Sequence, residues 1–438
     1  MKKSISLFMI LFLIVGVLAA CGPSRSETGG NESNSNNQND SGEKENTGES
    51  DKPEKLVVWV NDEASQKAAL NEIFTKYEEE TGIKIESVEM NMLDQIEALA
   101  LDGPSGKGPD LFFQPHDRIG NVVLQGLAEP VDLGDAKSSY VDTAIDAVTY
   151  DGDVWGAPLV VETYGTFYNK QLVDKAPETM DELMDIAKNL TDESKDEYGF
   201  LMEAANFYFS YPFFAATGGY VFDKTDGAYD VSNIGLNNEG AVKGGELIGS
   251  WFKEGYIPVE VNPDIMNGLF TDGKTGVVIT GPWNIPTYKE ALGDDLATTL
   301  LPKIDGQVPQ SFVGVKSWML SSYSKNKEWA TDLMKFITNE ENSLLYFEKA
   351  GEMPANAAAL ESETVTGDEL IKAFAEQVEY GEPMPSAPEM QQVWDPINNA
   401  LQFIAKGDPA NEVLDEAVQT IKDNIARSEE HTSELQSH

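Results

Sequence analysis

The sequence predicts an α/β protein, because short apolar runs of strand character alternate with amphipathic runs of helical character. Residues 56–60 are apolar and β-prone, and residues 65–80 place apolar side chains at helical spacing. The alternation continues through a strand at 83–85, a helix at 93–101 and a strand at 110–113. This order is typical of a parallel sheet covered by helices.

The same alternation returns in the second half of the chain. Further strands are expected at 167–168, 277–280 and 312–320, and further helices at 327–338, 366–380 and 410–426. No internal repeat of a solenoid period is present in the sequence. Roughly 370 residues follow residue 55, which is enough chain for two lobes with separate cores.

The N-terminus has the pattern of a secretory signal. Lys2 and Lys3 precede an apolar run at 5–17, and small residues follow up to Cys21. This run is too short to span a bilayer as a mature helix, so residues 1–20 are predicted to be a signal peptide. Leu18-Ala19-Ala20-Cys21 resembles the lipobox of bacterial lipoproteins, in which Cys21 is lipidated and becomes the new N-terminus. The alternative is an ordinary signal peptide with a cysteine at the cut by chance.

After the cysteine, residues 21–54 contain almost only small, polar and charged side chains. Such a segment cannot bury enough apolar surface to offset its chain entropy, so we expect a disordered tether. The formal net charge of −44 argues against nucleic acid and against an anionic membrane surface as partners, because both attract basic patches.

The last residues, 427–438, resemble the conceptual translation of a common sequencing adapter, and we interpret them as an artefact of sequencing. Two of the three histidines lie in this segment, which leaves only His116 in the globular body. Since Cys21 is the single cysteine, neither a disulfide nor a His/Cys metal cluster is expected, and we predict no cofactor. His116 is predicted to be structural.

One nucleotide-binding motif is rejected on its surroundings. Residues 268–275 match the P-loop pattern G-x-x-x-x-G-K-[ST] letter for letter. A working P-loop follows a strand and opens a helix, so that backbone N–H groups cradle phosphate. Here a helical stretch precedes the motif and a strand follows it, and Asp272 would repel an anion.

Several blocks together resemble the maltodextrin-binding proteins of bacterial ABC importers. These blocks are residues 56–61, 108–113, 116–118, 162–169, 208–212, 218–220, 281–283 and 312–315, together with Trp394. The resemblance implies a two-lobe periplasmic-binding-protein fold with a hinge and an interlobe cleft. By the same resemblance, 55–161 and 300–360 form the N-terminal lobe, and 162–299 and 361–426 form the C-terminal lobe.

The resemblance also implies a set of ligand-binding residues. Five would hydrogen-bond sugar hydroxyls and three would stack on the apolar faces of the sugar rings. The polar set is Asn61, Glu63, Asp117, Arg118 and Glu162, and the aromatic set is Tyr208, Trp283 and Trp394. Local alternatives stay open, since Asp117 and Arg118 could form an ion pair, Glu162 could cap the hinge, and aromatic residues at helical spacing are often core. Trp59 and Trp155 are interpreted as core.

The function implied is that of a non-catalytic, lipid-anchored extracellular binding protein that delivers malto-oligosaccharides to the permease of an ABC importer. Its expected partners are the sugar, the permease and, through the anchor, the membrane; a monomer is expected. Gln114 and Ala64 stand where this family can carry a tryptophan and a lysine. Cyclic or branched glucans, or galacto-oligosaccharides, therefore remain alternative ligands. Two other functions remain open, a secreted glycosidase that uses the clustered carboxylates and a surface adhesin.

Overall fold

The computed structural model describes residues 52–225 and 228–436, and these residues form fifteen strands. The strands are β1 (Lys55–Val60), β2 (Lys84–Glu89), β3 (Leu111–Pro115), β4 (Ala128–Glu129), β5 (Thr149–Tyr150), β6 (Asp153–Val154), β7 (Ala157–Glu162), β8 (Gly165–Asn169), β9 (Tyr198–Met202), β10 (Phe222–Thr225), β11 (Ala228–Ile234), β12 (Thr275–Thr280), β13 (Leu296–Thr299), β14 (Phe312–Ser321) and β15 (Glu382–Pro383).

The same described residues form sixteen α-helices. The helices are α1 (Ala64–Thr81), α2 (Gln95–Asp102), α3 (Ile119–Leu124), α4 (Asp142–Ala147), α5 (Met180–Leu190), α6 (Phe207–Ala215), α7 (Glu239–Lys253), α8 (Pro263–Thr271), α9 (Ile285–Leu292), α10 (Lys327–Ile337), α11 (Glu340–Ala350), α12 (Ala357–Leu360), α13 (Glu363–Thr366), α14 (Lys372–Tyr380), α15 (Trp394–Ala405) and α16 (Ala410–Gln436).

The first sheet has seven strands, some parallel and some antiparallel. Strands β2, β1 and β3 are parallel, as the sequence indicated. The long strand β14 then runs antiparallel to β3 on one side and to β7 on the other. The three strands of the predicted alternation are parallel, and the sheet as a whole is mixed because β14 adds antiparallel pairings.

The second sheet is also mixed. Its order is β13-β8-β12-β9, in which β12 is parallel to β9 and antiparallel to β8. Two short hairpins, β5 with β6 and β10 with β11, lie outside both large sheets. The α/β class predicted from sequence is confirmed.

Each sheet carries its own hydrophobic core, so the described body has two lobes. Trp59 and Trp318 are buried in the first core, and Phe167 and Trp251 are buried in the second. Trp155 is half-buried against the first core, and its indole N–H donates to a backbone carbonyl. The residue boundaries assigned to the lobes from the resemblance remain predictions.

Three chain segments pass between the lobes side by side. The hydroxyl of Thr163 donates to the carbonyl of Phe312 at 2.8 Å, and the N–H of Phe312 donates to the hydroxyl of Tyr164 at 3.3 Å. The third segment joins them where the N–H of Glu382 donates to the carbonyl of Ser311 at 2.8 Å. The expected hinge therefore corresponds to three hydrogen-bonded crossings.

Two helix predictions differ from the structure. The predicted helix at 366–380 is divided into α13 and α14, because Gly367 ends the first and the side chain of Asp368 accepts from the N–H of Leu370 at 2.8 Å. Helix α16 continues past residue 426 to Gln436. The signal peptide, Cys21 and residues 22–51 of the tether lie outside the described residues. Within the described ranges, no helix is both long and apolar enough to cross a membrane.

Candidate ligand-binding cleft

A cleft of about 430 Å³ lies between the two lobes, with lining residues from both. The eight ligand-binding residues predicted from the sequence all line it, namely Asn61, Glu63, Asp117, Arg118, Glu162, Tyr208, Trp283 and Trp394. They come from the ends of strands and from the loops and helix starts that follow, which is where α/β sheets present ligand crevices. The structure thus brings together residues that are more than 300 positions apart in sequence.

Asn61 follows β1 directly, and its side chain is fixed on both sides. Its amide nitrogen donates to Oε1 of Gln66 at 2.9 Å, and its carbonyl oxygen accepts from the N–H of Met92 at 2.9 Å. Glu63 lies at the N-terminus of α1, at the exposed rim of the cleft. Partial burial raises the pKa of Glu63, while the nearby Lys316 lowers it.

Asp117 and Arg118 lie in a short 3₁₀ turn after β3. Asp117 is buried, and the side-chain amide of Gln391 donates to its backbone carbonyl at 3.1 Å. Arg118 donates from Nη1 to the carbonyl of Leu93 at 3.2 Å, and its buried Nε has no partner among the described residues. Among the described residues, Asp117 and Arg118 bond to other partners and form no ion pair with each other. The alternative that they form a local ion pair therefore receives no support.

The three aromatic side chains belong to the second lobe and are half-buried. Tyr208 lies in the first turn of α6, Trp283 follows β12, and Trp394 opens α15. The hydroxyl of Tyr208 and the indole N–H of Trp394 are buried and have no hydrogen-bond partner in the described ranges. Because unpaired buried polar atoms cost free energy, these two atoms are candidates to bind a polar ligand.

Trp283 folds back over the backbone of Gly281. A Cβ on Gly281 would lie 1.9 Å from Cζ3 of the indole. The φ angle of Gly281 is −92°, which any residue can adopt, so it is space rather than backbone conformation that requires glycine here. The Gly-Pro-Trp sequence thus fixes the position of this ring.

Lys316 is a cleft residue that the sequence analysis missed. Its ammonium lies 2.6 Å from Oε2 of Glu162, is hydrogen-bonded to Glu352, and lies 4.9 Å from the ring centroid of Trp283. The side chain is almost fully buried in β14. A single charged residue within the apolar strand sequence FVGVKSWML was the available signal, since a buried lysine requires carboxylate partners.

The buried cluster around Lys316 contains more negative than positive charge. Burial raises the pKa of Glu162 to about 7 against the opposing effect of Lys316, and Glu352 adds to the increase. Burial lowers the pKa of Lys316, but the two carboxylates outweigh this effect and hold it above its usual value. Glu352 also accepts hydrogen bonds from Gln66 at 3.1 Å and from Tyr346 at 2.9 Å.

Other cleft residues carried no clear sequence signal, because common polar residues reveal their position only after folding. They are Gln66, Asn91, Asn206, Asp395 and Asn398. Gln114 does not line the cleft; it is buried and donates to the carbonyl of Met92, which does. The tryptophan that the family can carry at this position is therefore replaced by a residue that supports the cleft wall.

The structure also gives the surroundings of His116 and of the P-loop-like segment. His116 is buried, accepts at Nδ1 from the N–H of Val315 at 3.1 Å and contacts the carbonyl of Met384 through Nε2 at 3.1 Å, which fits a structural role. Helix α8 precedes residue 273 and β12 follows it, which is the wrong order for a P-loop. Among the described residues, no group of three or more His, Cys, Asp or Glu side chains could hold a metal ion.

Comparison with known proteins gives consistent relatives. A family profile for bacterial extracellular solute-binding proteins matches residues 72–373. The chain is 37% identical over 436 residues to the galactooligosaccharide-binding protein of Bacillus subtilis (strain 168), covering 97% of this chain and 98% of that one. It is 34% identical over 435 residues to the maltodextrin-binding protein MdxE of the same strain, with the same coverage. The crystal structure of a cyclo/maltodextrin-binding protein complexed with maltotetraose is 41% identical, with a TM-score of 0.74 over 86% of this chain and 99% of that one.

Proposed function

Because the chain belongs to the family of bacterial extracellular solute-binding proteins, we propose that it captures malto-oligosaccharides for an ABC importer. The resemblance stated from sequence and the two-lobe α/β fold are confirmed by the family match and by the solved relatives. The finer statements, which concern the ligand, the residues that bind it, the permease and the anchor, are our proposals.

The observation that carries this proposal is the convergence of three half-buried rings and several buried charged side chains in one cleft. A pyranose has an apolar C–H face and a rim of hydroxyls. Trp283, Tyr208 and Trp394 can cover such faces, while Asp117 and Glu162 can accept from hydroxyls through strong, charge-assisted hydrogen bonds. The volume of about 430 Å³ lies within the usual range for small-molecule sites.

Transport follows from the lobes acting as two halves of a clamp. A ligand shifts a conformational equilibrium only by its differential affinity for the two states. A sugar that touches Asp117 on one lobe and Trp394 on the other gains its full contacts only when the lobes are close. We propose that this closed form is what the permease recognises.

A galacto-oligosaccharide is the second candidate ligand. The Bacillus subtilis relative whose name includes this sugar is 37% identical over nearly the whole chain. Gln114 and Ala64 also depart from the pattern expected of a maltodextrin binder. Both sugars use the same chemistry of stacking and hydroxyl recognition, and the 41% identical relative solved with maltotetraose supports the malto series as the first candidate.

Calorimetry tests the ligand class. The purified protein is titrated with maltose, maltotriose, maltotetraose, cyclodextrins and galacto-oligosaccharides. We expect the tightest binding with a linear malto-oligosaccharide and no release of new reducing ends. Tighter binding of galacto-oligosaccharides would identify them as the ligand in place of malto-oligosaccharides. Release of reducing ends would support a glycosidase. If none of these sugars binds, the proposal is overturned.

Localisation at the outer face of the membrane, through a lipid on Cys21, is tested separately. A diacylglycerol has two acyl chains, which suffices for stable attachment where one chain is marginal. Cys21→Ser should release the protein to the medium or leave it uncleaved. Wild-type protein that stays in the aqueous phase of a detergent partition would contradict the anchor.

A further inference from the structure

After the third crossing between the lobes, residues 384–391 pack on the turn that follows β3. Nε2 of His116 in this turn contacts the carbonyl of Met384 at 3.1 Å. A Cβ on Gly120 would lie 2.7 Å from the carbonyl oxygen of Ser386, so this close approach requires glycine. These contacts hold the segment against the same turn that carries one of the cleft carboxylates.

That carboxylate, Asp117, is bonded by Gln391 at the end of the segment. The amide nitrogen of Gln391 donates to the backbone carbonyl of Asp117 at 3.1 Å and to its Oδ2 at 3.4 Å. Both partners are acceptors, so the amide must face them with its nitrogen and not with its oxygen. This is the one side-chain hydrogen bond that the Asp117 carboxylate accepts within the described residues. Gln391 itself is not among the residues that line the cleft.

The bond between Gln391 and Asp117 joins the two lobes. Asp117 follows β3 of the first sheet, whereas Met390 and Val393, close to Gln391 in sequence, are buried in the core of the second lobe. Trp394 opens α15 only three residues after Gln391. A cleft carboxylate of the first lobe is thus bonded to the short segment that leads into an aromatic residue of the second.

We propose that Gln391 is a positioning residue, which holds the Asp117 carboxylate in the orientation that accepts from a sugar hydroxyl. This inference rests on the proposed function. The two N–H groups of one amide nitrogen can hold the backbone carbonyl and Oδ2 of Asp117 at once, which leaves Oδ1 to accept from the ligand. A carboxylate held in this way loses less conformational freedom when sugar binds, so its hydrogen bond contributes more to affinity.

Two substitutions separate the hydrogen bond from packing. Gln391→Met keeps a side chain of similar length but has no donor at any pH. Gln391→Glu places a second carboxyl group beside Asp117. At pH 8 both groups are ionised and repel each other, whereas at pH 5 their repulsion favours a shared proton, which restores a donor between them. Gln392→Glu is the matched control, because Gln392 lies in the same 3₁₀ helix, is also half-buried and makes no side-chain hydrogen bond in the described ranges.

The full-length protein and the three variants are titrated calorimetrically with maltotetraose and with galactotetraose at pH 5 and pH 8. Each affinity is divided by that of the wild type at the same pH. The other titratable side chains near Asp117, which are His116, Arg118 and Tyr208, are common to all four proteins, so this ratio removes their effect. Thermal unfolding without ligand shows that each variant is folded.

For the sugar that the wild type binds more tightly, Gln391→Met should lose about fivefold in affinity at both pH values. Gln391→Glu should lose at least tenfold at pH 8 and recover to within about twofold of the wild type at pH 5. Gln392→Glu should match the wild type at both.

A purely structural role for Gln391 would not give this pH profile, because the packing of the variant is the same at pH 5 and pH 8. An equal loss in Gln391→Glu at both pH values, or an equal loss in Gln392→Glu, would therefore overturn the inference. Wild-type affinity in both Gln391 variants would overturn it as well, and the proposed function would stand in all three cases. If the wild type binds neither sugar, the proposed function fails too.

Discussion

The ammonium of Lys316 lies 2.6 Å from Oε2 of Glu162 on the floor of the cleft. The two residues are diagonal neighbours on adjacent antiparallel strands, since Lys316 pairs with Val160 and Gly314 pairs with Glu162. Gly314 leaves room for the Glu162 side chain, because a Cβ there would lie 3.2 Å from its Cγ. Lys316 thus binds the carboxylate of Glu162, and the absence of a side chain at Gly314 leaves space for it.

Lys316→Met should destabilise the protein by about 3–5 kcal/mol, because it leaves Glu162 and Glu352 buried without their shared cation. The measurement is the free energy of unfolding in urea at neutral pH. Lys327→Met is the matched control, since Lys327 pairs with Glu129 at an exposed site and should cost no more than about 1 kcal/mol. Equal losses for the two variants would contradict the role assigned to Lys316.

Glu162 should make stability depend on pH. Its pKa in the folded protein is about 7, compared with 4.5 for an ordinary glutamate. Between these values the folded state holds the proton more tightly, so the contribution of this group to stability decreases as the pH rises. The free energy of unfolding of Glu162→Gln, compared with that of the wild type at the same pH, should therefore increase by up to about 3 kcal/mol from pH 5 to pH 8. Urea unfolding at both pH values checks this, and a relative gain toward acid pH would refute it.

Sequence patterning predicted the α/β class because strand and helix periods are local properties, whereas the two-lobe arrangement was implied by the family resemblance. The direction of β14 was not predictable in this way, since it depends on which end of the sheet a distant segment enters. The eight site residues came from a family resemblance, and the cleft geometry then placed them together. Lys316 escaped notice because its role depends on contacts between residues far apart in sequence.

Truncation after Ala426 should leave the melting temperature and sugar affinity unchanged. Helix α16 extends to Gln436, but its buried side chains, including Ile421 and Ile425, all precede residue 427 among those described. Truncation after Thr420 is the control, because it removes these two core isoleucines and should lower the melting temperature clearly. If truncation after Ala426 also destabilises the protein, residues 427–438 are part of the fold.

Gly281→Ala should weaken sugar binding without removing any ring. The added Cβ would overlap the indole of Trp283, so the ring must move away from its position in the cleft. Calorimetry should show at least a fivefold loss of affinity, with the free energy of unfolding changed much less. Gly268→Ala is the control, because it lies in α8 with open space around its Cβ and should not affect binding. If Gly281→Ala binds sugar with wild-type affinity, the position of the Trp283 ring does not determine sugar binding.

Trp283 and Trp394 should act mainly on ligand affinity, whereas Trp59 should act mainly on stability. Both cleft rings are half-buried, while Trp59 is 3% exposed in the first core. Removing a ligand-contacting aromatic at a hot spot costs about 2–4 kcal/mol of binding, and removing a core tryptophan costs about 3–5 kcal/mol of folding.

Trp283→Ala and Trp394→Ala are therefore each expected to weaken oligosaccharide binding at least tenfold, with a small loss of ligand-free thermal stability. Trp59→Ala should do the reverse. Calorimetry and thermal unfolding of the same three variants separate the two effects. Because Trp283 also contacts the Lys316 ammonium at 4.9 Å, its variant should lose slightly more stability than Trp394→Ala. Binding equal to wild type in both cleft variants would show that the proposed stacking site is wrong, even if sugar still binds elsewhere on the protein.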